Sequence, residues 1–171
     1  MFTPIKFVFL NSLPIATQQM AAHKVSALTQ GVSGEKPQML PLAVEEVVNQ
    51  RLAVVALSGE KFAGQVAAKH PITHQGDDMT EVGSLVVSPQ FRRMKIASHL
   101  TAAMSWHLTL QGEVPYAFCN GLSLPIFQRA HYELATGSEI PPQAFGLCAK
   151  CSSRPDQGCC DTTVVFRPGL L

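Results

Sequence analysis

Residues 85–100 constrain the fold of this chain more than any other segment, because they predict a strand that leads directly into a helix. The run reads L-V-V-S-P-Q-F-R-R-M-K-I-A-S-H-L, an apolar stretch, a proline, a basic turn and a helical pattern. The first turn of a helix has backbone N–H groups without helical partners, and the peptide dipoles add positive potential there. Arg92, Arg93 and Lys95 lie in the same turn. The segment therefore predicts an anion site that suits a pyrophosphate.

Composition limits the partners of such a site. The chain has 171 residues, of which 46% are hydrophobic and 15% charged, as in a compact globular protein. The formal net charge is +1, so no overall field attracts nucleic acid and anion binding has to be local. No apolar run reaches the roughly 20 residues that cross a bilayer, and Pro4, Asn11 and Pro14 interrupt the apolar N-terminus. We expect a cytoplasmic protein with one domain over residues 1–171, which binds neither nucleic acid nor membrane.

The remaining segments alternate between strand and helix patterns. Strands are predicted near 5–10, 52–57, 62–69, 79–87, 114–119 and 162–167, and helices near 15–29, 41–50, 90–110 and 124–134. Residues 70–78 are predicted to form a polar loop. Because hairpins occur beside strand–helix crossovers, the pattern predicts an α/β chain of the α+β type with a mixed sheet.

With these elements placed, the chain resembles the GNAT superfamily of acetyl-CoA-dependent N-acetyltransferases. Gly59 and Gly64 lie where the family has glycines in a hairpin, and Asn120 lies where it has an asparagine that faces the pantetheine arm. The match covers about residues 40–135. It implies a central, mostly antiparallel sheet flanked by helices, with the fourth and fifth strands splayed apart to admit pantetheine. The family pattern L-x-V-x-P-x-(Y/F)-R-x-x-G-(I/V)-(G/A)-x-x-L is matched by Leu85, Val87, Pro89, Phe91, Arg92, Ile96, Ala97 and Leu100.

The resemblance also implies acetyl-CoA as the co-substrate and a set of residues that bind it. Backbone groups of residues 85–87 would bond the pantetheine amides, and backbone N–H groups of the basic turn would hold the pyrophosphate. The second partner would be an amine acceptor that the sequence does not identify, and a homodimer is left open. The implied cofactor-binding residues are Leu85, Val86, Val87, Arg92, Arg93, Met94, Lys95, Ile96, Ala97, Ser98, Asn120 and Phe127.

Two departures from the family pattern bear on binding and catalysis. Lys95 replaces a glycine that lets the backbone approach the phosphates, and a helical φ would allow the lysine to stay there and contact phosphate. Phe127 replaces a tyrosine that often protonates the sulfur of coenzyme A. Tyr132 is the predicted catalytic acid in its place, with His131, Cys119 and unaided departure of the thiolate as alternatives.

Glu81 is the predicted general base. The run T-E-V-G-S-L-V-V places it on the strand of the cofactor motif, where the histone acetyltransferase branch of the family has its glutamate. In a regular strand, residues 81, 83, 85 and 87 share one face, so Glu81 is expected on the same face as Val87. The alternative is a solvated acid near the strand end, with a water relay as the base.

Four of the five cysteines lie in residues 148–160, C-A-K-C-S-S-R-P-D-Q-G-C-C. A Cys-x-x-Cys turn and a returning pair can complete a tetrahedral site, so Cys148, Cys151, Cys159 and Cys160 are predicted ligands of a structural zinc. Cys159 and Cys160 would point in opposite directions in a regular strand and need a turn to share one ion. Reduced, unligated thiols and disulfides are the alternatives.

The sequence thus predicts an N-acetyltransferase that moves an acyl group from acyl-CoA to a primary amine. A second hypothesis, favoured by Lys95 and Phe127, is an acyl-CoA-binding module with little or no transferase activity. A third is a small interaction domain held together by zinc.

Overall fold

The computed structural model describes residues 3–31, 41–136, 138–150 and 163–166, with the backbone alone for 147–150 and 163–166. Within these ranges, no helix has the length and apolar character needed to cross a membrane. The strands are β1 (Ile5–Phe9), β2 (Leu52–Ser58), β3 (Lys61–Ala68), β4 (Ile72–His74), β5 (Asp77–Val87), β6 (Glu113–Cys119), β7 (Glu133–Leu134) and β8 (Thr163–Phe166). The helices are α1 (Ile15–Thr29), α2 (Val44–Val48), α3 (Ile96–Leu110) and α4 (Leu124–Arg129), with 3-10 turns at Leu10–Ser12, Pro89–Phe91 and Pro142–Lys150.

Most predicted elements are confirmed, and the differences have local causes. The helix predicted from residue 90 begins at Ile96, because Arg93 and Lys95 have left-handed φ values of 65° and 59°, which a right-handed helix excludes. The helix predicted over 124–134 ends at Arg129, just before His131 at a φ of 65°. The predicted loop over 70–78 contains β4, because Gln75 and Gly76 both adopt positive φ and close a tight hairpin.

The sheet is mixed and mostly antiparallel, as predicted. Among the described residues its strand order is β1-β2-β3-β5-β6-β8-β7, and β4 pairs with the start of β5. The pair β5–β6 is parallel, with α3 as the connection between the two strands, and the other pairs are antiparallel. The long β5 therefore lies at the centre of the sheet, between β3 and β6.

Helices cover both faces of the sheet. On one face, here called the α3 face, Ile96, Leu100, Met104 and Leu108 are buried, and their four-residue spacing was the basis for predicting the helix. Trp106 is 51% exposed, because it lies on the opposite side of α3 from this row. On the other face, here called the α1 face, α1 and α2 pack against β2 and β3.

A polar cluster fastens the parallel start of β5 and β6. Arg51, just before β2, forms a two-pronged ion pair with Glu113 at the start of β6, and Thr80 of β5 donates a hydrogen bond to the same carboxylate. The Arg51 and Glu113 side chains are only 20% and 11% exposed. Burial tends to raise the pKa of Glu113, but the hydrogen bonds from Arg51 and Thr80 and the charge of Arg51 outweigh it and lower the pKa below 4.5.

The cluster makes a prediction about stability. A glutamate with a lowered folded pKa stabilises the protein above its unfolded pKa and loses this contribution as the pH falls through the folded value. Glu113→Gln should therefore lower the free energy of unfolding by about 2 kcal/mol at pH 7. The difference from wild type, followed by urea unfolding, should shrink towards pH 3, whereas Glu60→Gln in the β2–β3 turn should change little. An equal difference at both pH values would contradict the account.

Candidate functional site

β5 and β6 separate after a short parallel ladder. Residues 78–81 pair with residues 113–116, but from Val82 onward β5 pairs only with β3 on its other side. On its other edge, β6 pairs with β8 over residues 116–119. Within the described ranges no strand fills the gap, so the backbone edge of β5 over residues 82–87 can bond an inserted, extended ligand. This is the splay implied by the resemblance, and here the splayed strands are β5 and β6 because β4 is an additional short strand.

A β-bulge lies at the point where the strands separate. Ala67 of β3 pairs with Gly83 and Gln65 with Val86, so three steps on β5 match two on β3. Ser84, inside the bulge, has a φ of 51°. The extra residue reverses the alternation of side chains along β5. Val82 packs on the α3 face, and after the bulge Leu85 and Val87 pack on that same face. Val86 packs on the α1 face.

The bulge changes the position predicted for Glu81. Since Val82 faces α3, its neighbour Glu81 faces α1, and the prediction that Glu81 and Val87 share a face is wrong. The Glu81 carboxylate pairs with Lys69 Nζ at 2.8 Å, with side-chain exposures of 15% and 48%. A Cβ atom on Gly83 would lie 3.4 Å from Glu81 Oε1, so the carboxylate leans along the strand towards the bulge.

Tyr116 shows the electrostatic effect of this carboxylate. It is the parallel-register partner of Glu81 and is 1% exposed. Burial raises the pKa of its phenol far above the usual value, and the nearby negative charge of Glu81 raises it further. Tyr116 therefore stays protonated at neutral pH.

Three polar side chains next to the bulge were not singled out by the sequence. Gln65 Nε2 donates to Gln50 Oε1 at 3.0 Å, and Gln50 Nε2 donates to Ser84 Oγ at 2.8 Å. Gln65 is fully buried, and its Oε1 atom has no hydrogen-bond partner among the described residues. A glutamine within the apolar run F-A-G-Q-V-A-A was the available signal, because a buried amide needs partners.

The basic turn has the features of an anion site. Ile96, Ala97 and Ser98 form the first turn of α3, where backbone N–H groups have no partner within the helix. Lys95, directly before them, has a left-handed φ of 59°. The helical φ that would let a lysine replace the family glycine is therefore not adopted. A left-handed lysine costs about 1–2 kcal/mol relative to a right-handed conformation, and the surrounding fold has to offset that cost.

A cleft of about 520 Å³ opens beside this turn and is lined by Lys95, Ser98, His99 and Arg129. Arg129 comes from the last turn of α4, so two helices contribute to the same cleft. His99 Nδ1 lies 2.8 Å from the Lys95 carbonyl oxygen, which fixes the imidazole over the turn. The basic side chains of Lys95 and Arg129 together with the α3 N-terminus give the cleft a positive potential that suits phosphate groups.

The residues predicted after β6 are mostly engaged within the protein. Asn120 Oδ1 accepts hydrogen bonds from the backbone N–H groups of Leu122 and Ser123, both at 3.0 Å, in the turn before α4. Phe127 is 2% exposed and packs edge-on against Tyr132 with ring centroids 5.0 Å apart. The Tyr132 hydroxyl lies 2.7 Å from Ser105 Oγ in the core beneath α3.

Cys119 is fully buried at the end of β6. Burial raises the pKa of the Cys119 thiol to about 12, although a hydrogen bond with Ser123 lowers it in part. The thiol therefore holds its proton too tightly to give it to a departing thiolate. The predicted zinc ligands Cys151, Cys159 and Cys160, and the side chain of Cys148, lie outside the described residues. Among the side chains that are described, no group of three or more His, Cys, Asp or Glu could hold a metal ion.

Solved structures identify the fold. An acyl-CoA N-acyltransferase from Pseudomonas aeruginosa superimposes with a TM-score of 0.64 at 11% identity, over 96% of this chain and all of the other. The ribosomal-protein-S18-alanine N-acetyltransferase from Escherichia coli gives 0.64 at 12% identity, over 98% and 96% of the two chains. N-acetylglutamate synthase from Neisseria gonorrhoeae, solved with coenzyme A and N-acetyl-glutamate, gives 0.64 at 15% identity, and the match spans 35% of that longer chain.

The chain has the acyl-CoA N-acyltransferase fold of the GNAT superfamily. No protein-family model and no curated protein sequence matches it. The fold that this resemblance implies is thus confirmed by solved structures, at a level of identity where sequence comparison alone finds nothing. The roles of individual residues remain predictions.

Proposed function

We propose that this protein is an N-acetyltransferase that moves the acetyl group of acetyl-CoA to a primary amine. The observation that carries the proposal is the combination of a splayed β5–β6 pair with a positive cleft at the next helix N-terminus. The gap accepts an extended amide-containing arm, and the cleft accepts phosphates at one end of it. Acetyl-CoA has this layout, with a pantetheine arm between its phosphates and its thioester. The fold shared with N-acetyltransferases supports the same function.

The binding roles follow from this placement. Backbone groups of Leu85, Val86 and Val87 would bond the pantetheine amides along the open edge of β5. Backbone N–H groups from Ile96, Ala97 and Ser98 would bond the pyrophosphate. The residues that would surround the phosphates with positive charge or backbone contacts are Arg92, Arg93, Met94, Lys95 and Arg129.

The chemistry requires one bond to form and one to break. The amine nitrogen attacks the thioester carbonyl carbon, a C–N bond forms, and the C–S bond breaks as the carbonyl re-forms. The amine loses a proton to Glu81, directly or through water, and the sulfur of coenzyme A gains one. Glu81 suits the role of base because its carboxylate leans towards the bulge from the α1 face. Tyr132 is the proposed acid.

A Tyr132→Phe variant tests the proposed acid. If the phenol protonates the departing sulfur, the variant should lower kcat by about 10²-fold and remove the fall in rate at high pH that marks an ionising acid. Ser105→Ala is the matched control, because it removes the hydroxyl that contacts Tyr132 but leaves the phenol in place. A Tyr132→Phe enzyme with the wild-type rate at every pH would mean that the thiolate leaves unaided.

An acyl-CoA-binding module is the second candidate function. It is favoured by the engagement of Glu81 with Lys69 and by the burial of Phe127 where the family often has an acid. Release of coenzyme A thiol from acetyl-CoA, measured over a panel of polyamines, amino acids, lysine peptides and peptide N-termini, separates the two. Release above hydrolysis with any amine supports the transferase. Acetyl-CoA binding without such release supports the module.

A further inference from the structure

We propose that the Ser84 hydroxyl donates a hydrogen bond to the carbonyl oxygen of the bound thioester, and that Gln50 and Gln65 orient it for this. The inference rests on the proposed function, because it assigns a contact at the reacting end of the bound acetyl-CoA. Ser84 would be a catalytic residue, and Gln50 and Gln65 would be positioning residues that do not touch the ligand.

The first argument is the direction of the hydrogen-bond chain. Gln65 donates through Nε2 to Gln50 Oε1, so Gln50 presents its own Nε2 hydrogens to Ser84 Oγ. Ser84 Oγ is therefore an acceptor in this bond, and its hydroxyl hydrogen points elsewhere. No acceptor for that hydrogen lies among the described residues. The described part of the chain thus holds a hydroxyl donor without an acceptor of its own beside the β5–β6 gap.

The second argument is the position of Ser84. It lies in the bulge where β5 separates from β6, beside the gap in which an extended ligand fits. A strand rises about 3.3 Å per residue, and the bulge fits the stretch from Ser84 to Val87 to two steps of β3, so Ser84 is roughly 7 Å from Val87, farther from the positive cleft. A pantetheine arm that runs along β5 from the cleft brings its thioester towards this part of the strand. The Glu81 carboxylate leans towards the same bulge from one side of Gly83.

The third argument is the backbone of Ser84. Its φ of 51° is unfavourable for a residue other than glycine. The residue here is a serine, although glycine adopts this φ without strain. Strained residues cluster at functional sites, where the surrounding structure holds them in place. Here the Gln50–Ser84 bond is one of the contacts that do so.

A donor at this position would favour the transition state. When the amine attacks, negative charge develops on the thioester oxygen, and an oriented hydroxyl in a partly buried site stabilises that charge without reorganising. The same contact exists in the bound thioester but not with free coenzyme A, which has no carbonyl at the sulfur. Affinity for acetyl-CoA relative to coenzyme A therefore reports the contact even while the acceptor is unknown.

The test measures both affinities by calorimetry for wild type, Ser84→Ala and Ser84→Gly. We expect both variants to lower the acetyl-CoA-to-coenzyme A affinity ratio by about 5–10-fold, the effect of one lost hydrogen bond, with coenzyme A affinity unchanged. Because glycine relieves the left-handed strain and alanine does not, equal effects in the two variants assign the loss to the hydroxyl. An unchanged ratio in both variants would overturn the inference.

Gln50→Glu tests the direction of the chain. A carboxylate at this position still accepts from Gln65 but makes Ser84 donate to it, so the ratio should fall as far as in Ser84→Ala. Gln50→Leu, which cannot compete for the Ser84 proton, should lower the ratio less. A Gln50→Glu ratio equal to that of wild type would contradict the orienting role. If wild type binds neither ligand, the proposed function itself fails, an outcome distinct from binding with an unchanged ratio.

Discussion

Replacing Lys95 by glycine and Arg129 by glutamine together should weaken coenzyme A binding by about 100-fold. Each side chain lines the cleft beside the α3 N-terminus, and the loss of one charge that contacts phosphate costs about a factor of ten. Glycine is the informative substitution at Lys95, because a φ of 59° suits it better than any other residue. The double variant should therefore fold at least as well as wild type, and lost binding reflects lost charge. Calorimetric titration at low salt measures the effect.

Two controls assign this loss to phosphate contacts. Pantetheine, which lacks the phosphates, should bind wild type and the double variant within about twofold of each other. Lys24→Gln removes a charge from an exposed position on α1 and should leave coenzyme A binding unchanged. Equal weakening of pantetheine and coenzyme A would show that the cleft does not hold the phosphates.

Glu81→Gln should lower turnover by about 10²–10⁴-fold at neutral pH, with acetyl-CoA affinity nearly unchanged. The amide has almost the shape of the carboxylate but cannot accept the amine proton. Steady-state rates with an amine that supports thiol release, together with calorimetric affinities, separate the two parameters.

Lys69→Met is the matched control for Glu81→Gln. It removes the partner of the ion pair but leaves the carboxylate, and a pair this exposed contributes only about 0.2–1 kcal/mol. Turnover of Lys69→Met should therefore stay within several-fold of wild type. If the two variants lose turnover equally, Glu81 has a structural role through Lys69, and the base is water or another group.

The sequence predicted the elements whose patterns are local. The row formed by Ile96, Leu100, Met104 and Leu108 predicted α3, because apolar residues at four-residue steps have to share a buried face. The strands predicted near 52–57 and 62–69 are confirmed as the antiparallel pair β2 and β3, which a short turn joins. The basic turn was placed correctly before this helix, although the helix starts later than predicted.

The features that the sequence did not predict depend on contacts between distant segments. The bulge at Ser84 arises from the register between β3 and β5, and it moved Glu81 to the face opposite Val87. The left-handed φ values of Arg93 and Lys95 could not be predicted from the residue types, because glycine and asparagine are the residues that usually adopt this conformation. The bonds among Gln50, Gln65 and Ser84 join three segments of the chain, so no local pattern predicts them.

Calorimetric titration of the wild-type protein with acetyl-CoA tests the central claim most directly. We predict saturable binding of one acetyl-CoA per chain, weakened by added salt because the phosphates contact exposed charges beside the α3 N-terminus. Absence of binding for both acetyl-CoA and coenzyme A at low salt would contradict the claim that the β5–β6 gap and the adjacent cleft hold this cofactor.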